Sequence, residues 1–102
     1  MINVQIVDEN LREVLLNSKY NFDIILNYIF DNDLEKKYIW LGTIDPYGYA
    51  VINILQKNNF IEELEDLREK GYVDNELNNT IVGVVNMLRN MTNHQYMLLT
   101  GD

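Results

Sequence analysis

Residues 44–67 leave the chain few conformations to choose from. Ile44-Asp45-Pro46-Tyr47-Gly48 holds the only proline. Pro presets φ at the second position of a turn, and Gly at the fourth is the common exit. Apolar segments flank this turn, so the chain must reverse here between two elements bound for a core. Asn53 and Gln56 follow at capping-box spacing, a cap and then Gln three residues later. The helix they start is expected to run to about Lys70, stopped by Gly71. Its apolar stripe is Phe60, Leu64 and Leu67, with Ile61 beside it. The same helix carries the densest acidic run of the chain, Glu62-Glu63-Leu64-Glu65-Asp66.

The other elements follow from periodicity and caps. Residues 2–7 alternate and predict a short strand. Asp8 caps a helix through Leu11, Val14 and Leu15, with Glu9 in its first turn, breaking near Asn17-Ser18. Asn21 caps a second helix, on which Phe22, Ile25, Leu26, Ile29 and Phe30 recur at helical spacing. Asp31-Asn32-Asp33 ends it. Tyr38-Ile39-Trp40-Leu41 is short, aromatic and apolar, and predicts a strand. Tyr49-Ala50-Val51-Ile52 predicts another. Asp74 or Asn75 opens a last helix, lined on one side by Leu77, Ile81, Val84, Val85, Leu88 and Met91. Gly83 inside it costs roughly 1 kcal/mol against Ala, which points to a close helix contact there. Tyr96-Met97-Leu98-Leu99 closes the chain as a strand. Four helices and a few strands without βαβ regularity predict an α+β fold: one domain over 1–102 with a short antiparallel sheet.

Composition bounds the function. A chain of 102 residues that is 47% hydrophobic can bury one core. The net charge of −8 opposes sequence-independent binding to DNA or RNA, whose phosphates repel it, and permits a basic protein partner. There is no Cys, which removes disulfides, thiol catalysis and Cys-based zinc sites. No apolar run approaches the ~20 residues that span a bilayer, and Met1-Ile2-Asn3-Val4-Gln5 lacks the basic start of a signal peptide. A cytoplasmic protein with no membrane partner is expected.

The chemistry-bearing residues are sparse. His94 is the only histidine. No Cys or G-x-S-x-G accompanies it, so it reads as a connector between helix and strand, and no catalytic residue is assigned. Asp31-Asn32-Asp33-Leu34-Glu35 imitates the start of a calcium loop, but Lys36 stands where that loop needs Gly. No phosphate-binding Gly pattern occurs. No metal or cofactor is therefore expected. What remains is a surface. Glu62, Asp66 and Glu69 form an i, i+4, i+7 row on the middle helix. Asp66 with Lys70 and Glu65 with Arg68 offset part of the charge, and Asp74 and Glu76 continue it past the helix end. A solvated face explains this row about as well as a docking face does. Tyr47 and Tyr49, flanking Gly48, are a second candidate for partner contact.

Ile44-Asp45-Pro46-Tyr47-Gly48, then Val51, Asn53 and Gln56, then Glu62-Glu63-Leu64, resembles a pattern of small bacterial proteins. It reads D-P-Y-G-D-T-x-F-N-x-x-Q with an L-x-x-E-L helix behind it. Their ending, H-x-Y-L-x-F-x-G-D, is similar to His94-Gln95-Tyr96-Met97-Leu98-Leu99-Thr100-Gly101-Asp102. The likeness covers residues 40–67 and 94–102. Tyr49-Ala50 replaces the acidic-Thr pair, and Ile52 stands in place of Phe. The proteins concerned are immunity proteins of polymorphic-toxin and contact-dependent inhibition systems. The resemblance implies a cytoplasmic inhibitor that masks a cognate toxin domain, here expected to be a basic nuclease, and a monomer is favoured although the sequence does not fix the oligomeric state. An acidic phage-type inhibitor mimicking nucleic acid is the nearest alternative. A small enzyme using carboxylates and His94 is the alternative of another class.

Overall fold

Alternation in the first strand sets the layering of the molecule. The structure, a computed structural model, describes residues 1–47 and 49–101. In β1 (Ile2–Asp8) the side chains of Ile2, Val4 and Ile6 are buried, while Asn3 and Gln5 point to the other face. The last strand, β4 (Gln95–Gly101), repeats this with Met97 and Leu99. It pairs antiparallel with β1, Val4 opposite Leu99 and Ile6 opposite Met97. The sheet is completed by β2 (Val14–Asn21) beside β1 and β3 (Tyr49–Ile52) beside β4, giving the order β2-β1-β4-β3, antiparallel throughout.

The helices α1 (Asp23–Asp31), α2 (Ile39–Gly42), α3 (Lys57–Lys70) and α4 (Asn75–Asn90) bury their apolar sides in one cluster with the inward residues of β1, β3 and β4. The fold is α+β, two layers with helices on one face of the sheet. α3 inserts Phe60, Leu64 and Leu67, and α4 inserts Ile81, Val84, Val85 and Leu88.

The capping residues do what their spacing predicts. Asn53 Oδ1 accepts from the Leu55 and Gln56 N–H groups, and Gln56 Oε1 accepts in return from the Asn53 N–H at 3.2 Å. Asp74 Oδ1 accepts from Leu77 N–H at 2.8 Å and starts α4. Asp45 Oδ1 accepts from Tyr47 N–H and closes the turn before β3. Gly48 lies outside the described residues, as does Asp102. Asn21 Oδ1 accepts from both Ile2 N–H and Asp23 N–H, so it ties the start of α1 to β1.

Three expectations are corrected. Residues 8–17 form a hairpin instead of a helix. Asp8 carries out cap-like chemistry, accepting from Arg12 and Glu13 N–H, but its own N–H donates to Glu13 O and the chain turns back. Leu11 adopts φ 59° at this turn. The stretch is too short to form a stable helix alone, and β1 offers it a ladder of backbone partners. Residues 38–41 are not a strand: Ile39–Gly42 is a single helical turn, held by a carboxylate from α3 described below. The close neighbour of Gly83 is a strand residue and not a helix. A Cβ there would fall 2.0 Å from the ring of Tyr20 on β2, so its missing side chain admits a tyrosine.

Candidate functional site

Burial of Phe60, Leu64 and Leu67 turns the opposite side of α3 to solvent, and that side carries the acids. Glu62 and Glu69 are exposed, and neither makes an ion pair or side-chain hydrogen bond within the described chain. Asp66, between them, is engaged. Its Oδ1 is 2.8 Å from Lys70 Nζ and its Oδ2 accepts from the Tyr38 hydroxyl at 2.9 Å. The hydrogen bond from Lys70, then that from Tyr38, holds the Asp66 carboxyl below the usual range. Burial, reinforced by Asp66, pushes the Tyr38 phenol up to about 12.

Glu63 faces α2. Its two oxygens accept from Trp40 N–H at 3.1 Å and Leu41 N–H at 2.9 Å. Those are N–H groups of the first turn of α2, which have no partner inside the helix. Trp40 also packs edge-on against Phe60, ring centroids 5.8 Å apart. Between α2 and α3 lies an open groove of about 340 Å³. Lys37, Tyr38, Ile39 and Trp40 form one wall, and Asn59, Glu62, Glu63 and Asp66 form the other. Ile39 is 59% exposed. A partly apolar groove with a free carboxylate at its rim, on two helices pinned to each other, can receive a cationic side chain together with its aliphatic stem.

The sequence-predicted contact residues do not form one site. Glu62 lines the groove, Glu69 lies further along the same exposed face, and Asp66 serves the α2–α3 junction. Tyr49 stands opposite Thr100 on the sheet face turned away from the helices. Tyr47 lies in the turn before it. Both are well exposed, and neither lines the groove. Sequence reasoning missed Glu63, Tyr38, Ile39 and Trp40. Glu63 gives no signal in the sequence, because its partners are 22 and 23 residues away. The aromatic run at 38–41 is visible in the sequence, but four residues fit the period of a strand as well as that of a helical turn.

His94 sits in the α4–β4 connector with φ 69°. Its Nδ1 is 2.9 Å from Glu9 Oε2, and both side chains are more than half exposed. Glu9 thus orients the imidazole, and the surrounding depression is lined by amides, apolar groups and Tyr96. Among the described residues no three His, Asp or Glu side chains converge as a metal ion needs. No helix among them is long and apolar enough to cross a membrane. No protein-family model, curated protein or solved structure compared with this chain matches it.

Proposed function

We propose that this chain is an immunity protein that acts in the cytoplasm, binding a cognate basic toxin domain and occluding its active site. The observation that carries the reading is the α2–α3 groove, where exposed Ile39 adjoins the free carboxylate of Glu62. A nuclease site presents Lys and Arg to nucleic-acid phosphates. Glu62 and Glu69 supply carboxylates for the same cations, while Ile39 and Trp40 supply apolar contact that excludes water. Glu63 and Asp66 contribute indirectly, by fixing α2 against α3 so that the surface needs little ordering on binding.

The test captures the partner of this chain by affinity from its source cells and co-expresses it with the chain. Protection of growth on co-expression checks the overall reading, and its absence overturns it. Stopped-flow association at two ionic strengths checks the surface. The double change Glu62→Gln, Glu69→Gln is expected to slow association about tenfold at low salt and to flatten the salt dependence. Asp66 is left intact, because changing it also opens the Tyr38 contact. Ile39→Asp is expected to speed dissociation instead. Wild-type rates in both variants would place the docking face elsewhere.

A further inference from the structure

Four charged side chains line the α2–α3 groove: Lys37, Glu62, Glu63 and Asp66. Two of them are occupied within the fold. Both oxygens of Glu63 accept from α2 N–H groups, and the oxygens of Asp66 are taken by Lys70 and Tyr38. The two left over are one of each sign, on opposite walls. Glu62 has no partner within the described chain. The Lys37 ammonium makes no ion pair or hydrogen bond among the described residues; its Nζ stands 5.3 Å from the centroid of the Tyr38 ring. Lys37 and Glu62 therefore share a groove without pairing across it. Exposed Ile39 and Trp40 lie beside Lys37. The carboxamide of half-buried Asn59 lies beside Glu62 with no hydrogen bond of its own among the described residues.

We infer that the groove receives an arginine of the partner protein that has a carboxylate of the same partner beside it, and that Lys37 sets this requirement. The inference rests on the groove being the docking face proposed above. A partner cation alone satisfies Glu62 but is pressed towards Lys37. Covering Lys37 without an anion also strips water from a charge that gains nothing in return. A partner anion alone meets the same problem at Glu62. A group bearing both signs satisfies both walls. Arginine suits the cationic end better than lysine. Its planar guanidinium is weakly hydrated, packs on aromatic surface such as that of Trp40, and meets a carboxylate through two parallel hydrogen bonds. The Asn59 carboxamide can donate or accept at either end. A chain of net charge −8 attracts basic groups from every side. Selecting one of them needs an element that rejects the others, and Lys37 is that element in the groove.

The probes are Nα-acetylarginine, which carries a cation and a carboxylate, and Nα-acetylarginine amide, which carries the cation alone. Trp40 is the only tryptophan, so its indole N–H resonance reports on the groove. The long-range field of the acidic chain favours the amide, so a preference for the zwitterion must come from the groove itself. At fixed ionic strength wild type is expected to bind acetylarginine about threefold more tightly than the amide, with a Kd on the order of 10 mM. Lys37→Gln is expected to reverse the order. Lys36→Gln, which removes the same charge from a side chain outside the groove, is expected to keep it. Glu62→Gln is expected to weaken both probes. A wild type that prefers the amide overturns the inference. So does a zwitterion preference that survives Lys37→Gln, or a Trp40 resonance that neither probe shifts at about 100 mM. Acetylarginine binding with a Kd below about 10 μM would mark a small-molecule site and overturn the protein partner. Growth protection is a separate readout. Its absence with the zwitterion preference intact removes the toxin and leaves the chemistry of the groove; protection without that preference does the reverse.

Discussion

Residues 8–21 and residues 53–67 begin alike and end as opposites. Each opens on an Asx side chain that accepts two backbone N–H groups. At Asn53 the donors are two and three residues ahead, and a helix follows. At Asp8 they are four and five residues ahead, and the chain folds back as a hairpin. What separates them is the sequel. After Asn53 an apolar stripe recurs for three turns and finds the core. After Asp8 the apolar residues Leu11, Val14, Leu15 and Leu16 all stay 44–49% exposed. A cap thus starts a helix only where a stripe behind it is buried. The two regions also carry different surfaces, one with carboxylates beside α2 and one where Leu16 lies against Met87 beside α4.

The sharpest test of this contrast is a pair of leucines. Leu64 on α3 is fully buried and Leu16 on β2 is 49% exposed. Leu64→Ala is expected to cost about 2–5 kcal/mol in urea denaturation. Leu16→Ala, measured at low protein concentration, should cost under about 1 kcal/mol. Equal losses would mean that the β2 face is part of the core and not a free surface.

A second pair separates neighbours on α3. Glu63→Ala removes both acceptors for α2 and is expected to destabilise by about 1–3 kcal/mol, with a change in the near-ultraviolet signal of Trp40. Glu62→Ala should stay within about 0.5 kcal/mol, because an exposed charge contributes little. A costly Glu62→Ala would show that its carboxylate is a fold element and weaken its assignment to a partner.

The two caps come next. Asn53→Ala is expected to cost roughly 1 kcal/mol and to reduce helical ellipticity. Asp8→Ala should cost a similar or smaller amount and leave ellipticity unchanged, since it closes a hairpin. Lost ellipticity in Asp8→Ala would contradict the hairpin.

The smallest effect concerns pH. The folded-state pKa of Asp66 lies below its ordinary value of 3.8, so its contribution is present above that value and is lost as pH falls through the depressed one. Tyr38→Phe removes part of the depression, and the drop in denaturation midpoint between pH 5 and pH 2 should shrink. The Tyr38 phenol is raised from 10.0 to about 12, so its contribution is complete below pH 10 and is lost towards pH 12. Phenolate absorbance should show one step near pH 12 that vanishes in Tyr38→Phe. An unchanged titration would mean that Tyr38 is not the raised phenol and that its hydroxyl is not buried at the α2–α3 junction.

Local chemistry alone determined β1, β3, β4, α1 and the two long helices with their caps, because each has a period that its neighbours in sequence support. It determined the α+β class, and it marked Glu62, Asp66 and Glu69 as an acidic row on α3. Tertiary structure decided the rest. Residues 38–41 are a helical turn because Glu63 reaches them across the fold, and residues 14–21 are a strand because β1 lies alongside. Asp66 pairs with Lys70 as its spacing predicts, but only the fold brings the Tyr38 hydroxyl to it, and Tyr49 is parted from the acids because strand pairing turns it to the other face of the sheet. Short apolar segments fit either period, so partners distant in sequence settle their form, and the same distant contacts settle which side chains stay free.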